Sequence, residues 1–481
     1  MVLLAVTVTA PPPAQAEPYG TAVQRVVSGF AARSGYPGVA VAITQGDRVL
    51  YTGGHGHDSS GAPVTATTPM PVASVSKSFT ALTVVRLAEE GKVVLDAPVR
   101  DYLPGFHLAD PRGTRITVRQ LLNQTSGLSD GTFPEKSLPQ PGSPEEAVVR
   151  AGTATLATEP GTRHRYTNTN YHLAARLVEV VTGEPFAEHL RRHVFGPIGM
   201  RSTTTISQTP RDLPSGVREG HFYAYGLSFP AAEPKRFVGG SDGVITTAED
   251  MATWLITQNS EGVAPNGTRL LSAAGVRATH TSSDPRWTYG LGWDTDARGR
   301  IGHSGVWFTY TAHQLLLPGG YGIAVMGNGG IGLGNEGIGA LADELAALVT
   351  GDKVDTGPPL RLVVDLVLAG LTLLSLALGV RNLRRVRRWA ERFASRPSWR
   401  LVPRLLPRVF PLVLLVFLPR LLGTFAGGGR DLTHLQLFYY SAPLVIWTAV
   451  AALLNLAVLT SRIVTLVRLR RTSRVRIVSV P

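Results

Sequence analysis

The feature that most constrains this chain is a stretch of 30 residues, 432–461, that contains no Asp, Glu, Lys or Arg. About 20 predominantly apolar residues in a helix cross the ~30 Å hydrocarbon core of a bilayer. We therefore predict a transmembrane helix over residues 438–460. Tyr439, Tyr440 and Trp447 lie in its first half, where aromatic side chains commonly anchor a helix at the membrane surface.

Two further apolar runs precede this one. Residues 362–380 carry a single charge, Asp365, close to one end, and predict a second transmembrane helix. Residues 409–425 form a weaker candidate because Pro411, Pro419 and Arg420 interrupt the apolar sequence. The chain thus has two clear candidate spans with a weaker one between them.

The basic residues indicate how many of these runs cross the membrane. Residues 381–481 contain 18 Arg and two acids, a net charge of +16, so the rest of the chain carries −3 of the total of +13. If 409–425 crosses, the Arg-rich loop 381–408 and the Arg-rich tail 461–481 share one face, which the positive-inside rule makes cytoplasmic. Flanking apolar spans argue against nucleic-acid binding by these clusters. We predict three spans in a multi-pass cell-membrane protein.

The N-terminus agrees with a main body outside the cytoplasm. Residues 1–10 are apolar and are followed by three prolines and Ala14-Gln15-Ala16, as in a signal peptide over residues 1–16. A basic segment at its start is missing, so an ordinary apolar terminus is the alternative. The absence of Cys excludes disulfides, thiolate metal sites and cysteine nucleophiles. Residues 17–350 are then an exported domain, and 351–361 a Gly- and Pro-containing linker.

Within that domain, the pattern predicts strands at both ends with helices between them. Paired apolar runs separated by turn residues predict hairpins, and a glycine after an apolar-periodic run predicts the end of a helix. The predicted hairpins cover 38–44 with 48–51 and 310–317 with 321–326, and the predicted helices cover 74–90 and 169–182. Such an order favours one antiparallel sheet closed by the two ends of the domain, in an α+β arrangement.

Several short patterns compete as functional sites. His55-Gly56-His57-Asp58 resembles a metal-binding pattern, but its acid lies one position early and its surroundings favour a hairpin loop. Two Gly-x-Ser-x-Gly matches surround Ser129 and Ser241, and such a nucleophile needs a strand, a sharp turn and a helix. Ser129 follows a helix-like run and fails this test. Ser241 remains the second candidate nucleophile, between a possible strand at 236–238 and a possible helix start at 246–249.

Ser74-Val75-Ser76-Lys77 forms a Ser-x-x-Lys pattern at the start of a predicted helix. Positions i and i+3 share a helix face, so the Ser74 hydroxyl lies beside the Lys77 amine. Burial among apolar side chains favours an uncharged amine, which can accept the serine proton. The helix N-terminus also supplies N–H groups for an oxyanion. The alternative is a capping serine followed by a surface lysine.

Further motifs decide between these alternatives, because the chain resembles the penicillin-recognising serine hydrolases, in the branch of class C β-lactamases, D-Ala-D-Ala carboxypeptidases and related esterases. Three short motifs carry the resemblance: Ser74-Val75-Ser76-Lys77, Tyr166-Thr167-Asn168 and His303-Ser304-Gly305. The connecting segments 87–96, 121–128, 197–200 and 289–293 also resemble that family. The resemblance covers roughly residues 20–350 in the family's order.

The resemblance implies a serine β-lactamase/transpeptidase-like antiparallel sheet flanked by helices, with an all-helical subdomain inserted between Ser74 and His303. Ser74 is then the nucleophile, and Lys77 and Tyr166 share the general-base role, with the choice between them open. Asn168 orients Lys77 and binds a substrate amide. His303, Ser304, Gly305 and Val306 line the substrate site, and the N–H groups of Ser74 and Val306 form the oxyanion hole. No metal or organic cofactor is implied.

Two departures from the family bear on the substrate. Where β-lactamases carry Lys, this chain has His303, which is mostly neutral at pH 7 and gives no fixed cation for a substrate carboxylate. His303 is alternatively a satisfied strand residue. Gln124 stands where relatives often have His. We expect acyl-enzyme chemistry on peptidoglycan-derived D-Ala peptides or small esters, or alternatively a non-hydrolytic sensor that keeps the pocket. The sequence does not indicate an oligomeric state.

Overall fold

The computed structural model describes residues 19–333, 337–353, 356, 359–425 and 429–478, with side chains described as far as residue 472. The predicted signal peptide, 1–16, lies outside these residues, as does part of the predicted linker, 351–361.

A six-stranded antiparallel sheet forms the centre of the domain that precedes the C-terminal helices. Its strands are β1 (Gly38–Gln45), β2 (Arg48–Gly56), β10 (Asp294–Thr295), β11 (Ile301–Val306), β12 (Thr311–Leu317) and β13 (Tyr321–Gly327). They lie in the order β10-β11-β12-β13-β1-β2. Val41 of β1 lies opposite Val325 of β13. The first and last strands of the domain therefore pair, which confirms the predicted sheet.

Helices cover both faces of this sheet. Strand β1 is therefore buried on both sides along nearly its whole length. One face packs on α1 (Tyr19–Ser34) and α10 (Ile338–Thr350) through residues such as Val27 and Leu341. The other face packs on α2 (Ser76–Glu89) and α8 (Ala248–Asn259) in the larger core, where Phe79 stacks on Trp254 at 4.0 Å between ring centres. This second core holds the segment that begins with Ser74.

A mostly helical insertion separates the N-terminal and C-terminal parts of the sheet, as expected. Its helices are α3 (Val118–Leu122), α4 (Pro144–Ala151), α5 (Thr169–Thr182), α6 (Phe186–Leu190) and α7 (Gly196–Ile198), and α9 (Ala273–His280) follows α8. Short strands complete the domain: β3 (Met70–Pro71), β4 (Thr204–Thr205), β5 (Gln208–Thr209), β6 (Gly220–Ala224), β7 (Leu227–Ala231), β8 (Arg236–Phe237) and β9 (Val244–Thr246). These strands form three small antiparallel sheets.

The C-terminal region contains three helical segments that are long and apolar enough to cross a membrane. They cover Leu360–Arg384, Ser398–Phe425 and Ala442–Thr472. The helices of this region are α11 (Leu360–Arg384), α12 (Val386–Phe393), α13 (Val402–Leu405), α14 (Phe410–Phe425), α15 (His434–Tyr440) and α16 (Ala442–Val478). The weak run 409–425 is thus part of a continuous candidate span despite its prolines.

The three candidate spans contact the N-terminal domain at one common end of the helical region. The Asp365 carboxylate in α11 accepts the Tyr225 N–H at 2.8 Å, and the Tyr439 hydroxyl before α16 donates to the Ala232 carbonyl at 3.0 Å. At the other end, the Arg470 guanidinium donates to the Ala394 carbonyl at 3.0 Å. The described parts of the two Arg-rich segments therefore lie together, at the end of the helices far from the N-terminal domain.

Candidate active site

Ser74 lies in a single 3-10 turn, Ala73–Val75, immediately before α2. The preceding residue, Ala73, has φ of 47°, in the left-handed region that non-glycine residues rarely adopt. This turn moves the start of α2 to Ser76, two residues after the predicted start. Strain of this kind persists where packing holds it in place, and here it lies directly before the candidate nucleophile.

Lys77 follows one helical turn later, and its side chain is fully buried. Its ammonium group donates hydrogen bonds to the Ser74 hydroxyl oxygen at 2.9 Å, to the Asn168 amide oxygen at 3.0 Å and to the Ser241 carbonyl at 3.0 Å. The structure therefore brings together the first two motifs as the sequence predicts. Three acceptors hold the amine in one position beside Ser74.

A fourth residue of this network, Asp242, was missed by the sequence analysis. Its buried carboxylate accepts the Ser74 hydroxyl at 2.6 Å and the Lys77 ammonium at 3.2 Å. The Asn168 amide donates to its other oxygen at 3.0 Å, and the Arg236 guanidinium donates to that oxygen at 3.1 Å. Asp242 stands between Ser241 and Gly243, inside the second Gly-x-Ser-x-Gly match, and an acid at that position was the available signal.

The groups around Asp242 keep its carboxyl ionised. Although burial raises the pKa of Asp242, the Lys77 and Arg236 cations and the hydrogen bond from Ser74 lower that pKa well below its usual range. The Asp242 carboxylate forms a buried ion pair with Lys77. Lys77 therefore has a carboxylate beside it as well as the apolar side chains that the sequence indicates.

Tyr166 faces Lys77 with its ring. The Lys77 ammonium lies 5.0 Å from the ring centre. Gln124, which stands where relatives often have His, supports this segment, because its side-chain oxygen accepts the Thr167 N–H at 3.1 Å and the Asn170 amide at 2.6 Å. Gln124 thus fixes the turn between Tyr166 and α5.

The third motif lies on β11, against the Ser74 turn. An added Cβ at Gly305 would be 2.1 Å from the Val72 carbonyl oxygen, so only glycine allows this approach. Ser304 and Val306 line the same cavity as Ser74. The strand therefore brings the Val306 segment beside the nucleophile segment, as the predicted oxyanion hole requires.

His303, on the same strand, is buried and uses both ring nitrogens. Its Nδ1 donates to the Ser304 carbonyl at 2.6 Å, so its Nε2 accepts the Tyr289 hydroxyl at 3.0 Å. Burial, together with the nearby Lys77 cation, lowers the pKa of His303 to about 3. The imidazole is neutral at physiological pH and provides no fixed cation.

A cavity of about 560 Å³ contains these residues and has a wall that the sequence analysis did not foresee. On one side it is lined by Ser74, Tyr166, Asn168 and His303. On the other it is lined by the C-terminal region, including Leu422, Arg430, Leu432, Leu437, Tyr440 and Leu444. The Arg430 guanidinium lies 4.9 Å from the Tyr166 ring centre and donates to Asp130 at 2.7 Å. Residues hundreds of positions apart thus share one cavity.

The competing patterns do not line this cavity. Ser241 is fully buried, and its hydroxyl donates to the Val238 carbonyl at 3.4 Å, although β8 and α8 flank it much as predicted. Asp58 closes a turn by accepting the Ser60 and Ala62 N–H groups. Among the described residues, the one group with distances suited to a metal ion is Glu184, His189 and His193, which lies outside the cavity.

This arrangement has the parts needed for acyl transfer to a hydroxyl. A serine on a strained turn has an ammonium, an amide and a carboxylate within hydrogen-bond distance of one another. The positive end of a 14-residue helix lies close to it. The cavity next to the hydroxyl has a volume in the range that holds a drug-sized ligand.

Comparison with known sequences gives a consistent result. A sequence profile described as Beta-lactamase matches residues 23–348. Penicillin-binding protein 4 from Amycolatopsis lactamdurans is 31% identical over 318 residues, which cover 61% of this chain and 81% of the relative. Protein flp from Staphylococcus aureus (strain MW2) is 26% identical over 328 residues, which cover 66% of this chain and 64% of the relative.

Solved structures show the same fold. An octameric penicillin-binding protein homologue from Pyrococcus abyssi has a TM-score of 0.58 at 24% identity, covering 70% of this chain and 78% of that one. A D-amino acid amidase from Ochrobactrum anthropi SV3 has a TM-score of 0.57 at 22% identity, covering 69% and 98%. In each case the similarity leaves out about a third of this chain.

Proposed function

Since this chain belongs to the β-lactamase family, within a superfamily of serine acyl-transferases and hydrolases, we propose that it is a membrane-anchored hydrolase with Ser74 as its nucleophile. The observation that carries this proposal is the hydrogen-bonded set of Ser74, Lys77, Asn168 and Asp242 beside a cavity of about 560 Å³. Active sites commonly combine a buried network of charged groups with a hydroxyl that lines a cavity.

In the proposed reaction, the Ser74 oxygen attacks a substrate carbonyl, and the N–H groups of Ser74 and Val306 stabilise the oxyanion. The serine proton leaves to a neighbouring base and then passes to the leaving group. Lys77 and Tyr166 remain the candidate bases. Asp242 receives the serine hydrogen bond at rest, but its low pKa makes it a weak base, so we assign it the positioning of Lys77. Water then releases the acyl group.

The proposed substrates are D-Ala peptides of the cell wall or esters. The neutral His303 removes the cation that a β-lactam or peptide carboxylate meets in β-lactamases, which favours substrates that bind by other groups. One structural neighbour is named a D-amino acid amidase, and this supports small acyl compounds as a substrate class.

We propose that the three helices of 25, 28 and 31 residues cross the membrane and that the catalytic domain is extracytoplasmic. Two observations support this orientation. The catalytic domain lies at one end of the helices, and the described Arg-rich segments lie together at the other. The positive-inside rule places those segments in the cytoplasm.

Labelling with a fluorescent fluorophosphonate tests the nucleophile. The full chain in detergent micelles should be labelled, and Ser74→Ala should lose labelling at least about 100-fold. Ser241→Ala is the matched control, because that serine is the other candidate by motif and is expected to be labelled like the wild type. Equal labelling of wild type and Ser74→Ala would contradict the proposal.

A sensor is the second candidate function, and one observation favours it. Arg430 lies between two candidate spans and contacts the Tyr166 ring. Both residues line the cavity, so a ligand bound there would contact the membrane region. An acyl-enzyme that persists would serve as a signal. Intact-mass measurements after one acylation separate the two functions, because an enzyme releases the acyl group within minutes and a sensor holds it for hours.

A further inference from the structure

One wall of the cavity is apolar and belongs to the membrane region. Leu422 lies in the last turns of the second candidate span, and Leu444 lies in the first turn of the third. Leu432 and Leu437, between the two spans, line the same cavity, and Ile331 adds to it from the catalytic domain. The wall therefore begins beside Ser74 and continues into residues that belong to the candidate spans.

The polar end of the cavity contains a buried hydrogen-bond donor without an acceptor among the described residues. Nη2 of Arg236 is buried and has no hydrogen-bond acceptor among the described residues, while its Nη1 donates to Asp242 and its Nε lies 3.6 Å from the Glu233 carboxylate. Arg430 and Lys136 line the same cavity and both contact the Asp130 carboxylate, at 2.7 and 3.4 Å. The Nη2 group of Arg236 is thus a buried donor left for an oxygen-rich substrate group in the cavity that contains Ser74.

We infer that the substrate is an ester amphiphile taken from the bilayer, with its acyl chain along the leucine wall, its ester carbonyl at Ser74 and its polar group at Arg236. This inference rests on the proposed function. Hydrocarbon binds to such a wall by losing contact with water, and an oxygen-rich headgroup supplies the acceptor that Nη2 of Arg236 lacks. A small, fully polar cell-wall peptide would leave the wall without a partner.

The covalent step is an ordinary ester cleavage. The Ser74 oxygen bonds to the acyl carbon, the ester C–O bond breaks, and the proton from Ser74 leaves with the alcohol. Water then attacks the acyl-Ser74 carbon, which releases the fatty acid and returns the proton to Ser74. No oxidant, reductant or further reactant takes part.

A series of p-nitrophenyl esters tests the chain, using the full protein in detergent and each ester below its own micelle-forming concentration. From acetate through butyrate to octanoate, kcat/KM should rise by about fourfold for each methylene that the wall buries. Ser74-dependent hydrolysis of acetate with no increase toward octanoate would overturn the inference and leave the proposed function standing. Absence of any Ser74-dependent hydrolysis or labelling would instead contradict the proposed function.

Matched variants separate the wall from partitioning of esters into detergent. Leu432→Gln should lower the octanoate-to-acetate ratio of kcat/KM at least tenfold, and Leu444→Gln is a second wall variant should the first fail to fold. Leu435→Gln is the control, because this neighbouring leucine is 55% exposed and does not line the cavity. A ratio that falls equally in the Leu432 and Leu435 variants would overturn the inference.

The origin of the substrate is tested with phosphatidylcholine vesicles that contain both the protein and a fluorogenic long-chain ester lipid. The lipid should be cleaved in wild-type vesicles and spared in Ser74→Ala vesicles, and mass spectrometry should detect its acyl group on Ser74. If soluble octanoate is cleaved but the membrane lipid is not, the bilayer is not the source and the inference is wrong.

Discussion

At the scale of single residues, the least expected feature is Asp242. Sequence reasoning identifies Ser74 and Lys77 because they are three positions apart on one helix, and Asn168 through a short motif. Asp242 is 168 positions from Ser74 and stands beside Ser241, which attracted attention as a candidate nucleophile. Local spacing could not reveal a contact made only when the segment between β8 and β9 packs against the turn before α2.

Asp242→Asn tests the positioning of Lys77. Because removal of one partner from a buried ion pair leaves the other charge uncompensated, the free energy of unfolding should fall by about 3–5 kcal/mol. Without that carboxylate Lys77 is held less firmly beside Ser74, so kcat for p-nitrophenyl acetate should fall about tenfold while KM stays the same. Titration of the protein with denaturant and initial rates over a range of ester concentrations measure the two effects.

Asp250→Asn is the control for this variant. Its carboxylate is also buried but lies outside the cavity and accepts the Ser202 N–H and the Thr203 hydroxyl. It should hydrolyse the ester with the wild-type kcat. A wild-type kcat for Asp242→Asn would assign Asp242 a purely structural role.

At the scale of elements, the hairpins at both ends of the domain were predictable, because alternating apolar residues and turn glycines define them within a few positions. The start of α2 was not, because the left-handed Ala73 and the 3-10 turn after it are imposed by packing between β11 and β9. The approach of β11 to that turn likewise depends on a glycine, Gly305, whose role is visible only in three dimensions.

Gly305→Ala tests this approach. The new Cβ would lie 2.1 Å from the Val72 carbonyl oxygen, so strand and turn must separate, and displacements of about 1 Å at a reacting group cost on the order of 100-fold in rate. We expect fluorophosphonate labelling to slow by that factor. Gly105→Ala, where an added Cβ meets no atom within 4 Å, should label at the wild-type rate. Equal rates for both variants would contradict the role given to Gly305.

At the scale of the whole molecule, composition and charge predicted the number of candidate spans and the common end of the Arg-rich segments. They could not predict that the membrane region completes the cavity, because no local pattern relates Arg430 to Asp130 or Leu444 to Ser74. The proposed orientation is open to a direct measurement, since the chain has no Cys of its own.

Single cysteines and a membrane-impermeant maleimide provide this measurement in intact cells. Val94→Cys, at a catalytic-domain position that is 60% exposed, should be labelled without permeabilisation. Arg387→Cys, at a position whose side chain is 84% exposed in the Arg-rich loop, should be labelled only after permeabilisation. The reverse pattern would place the catalytic domain in the cytoplasm and contradict the proposed orientation.

The leucine wall has a kinetic consequence. A cavity with one side built from the ends of the protein's own membrane helices receives its ligand by diffusion within a plane. The governing quantity is then the mole fraction of that ligand among the surrounding lipids, and diluting the same vesicles in buffer leaves the turnover per protein unchanged. Adding inert lipid to those vesicles, in contrast, lowers the turnover, although the total amount of ligand stays the same.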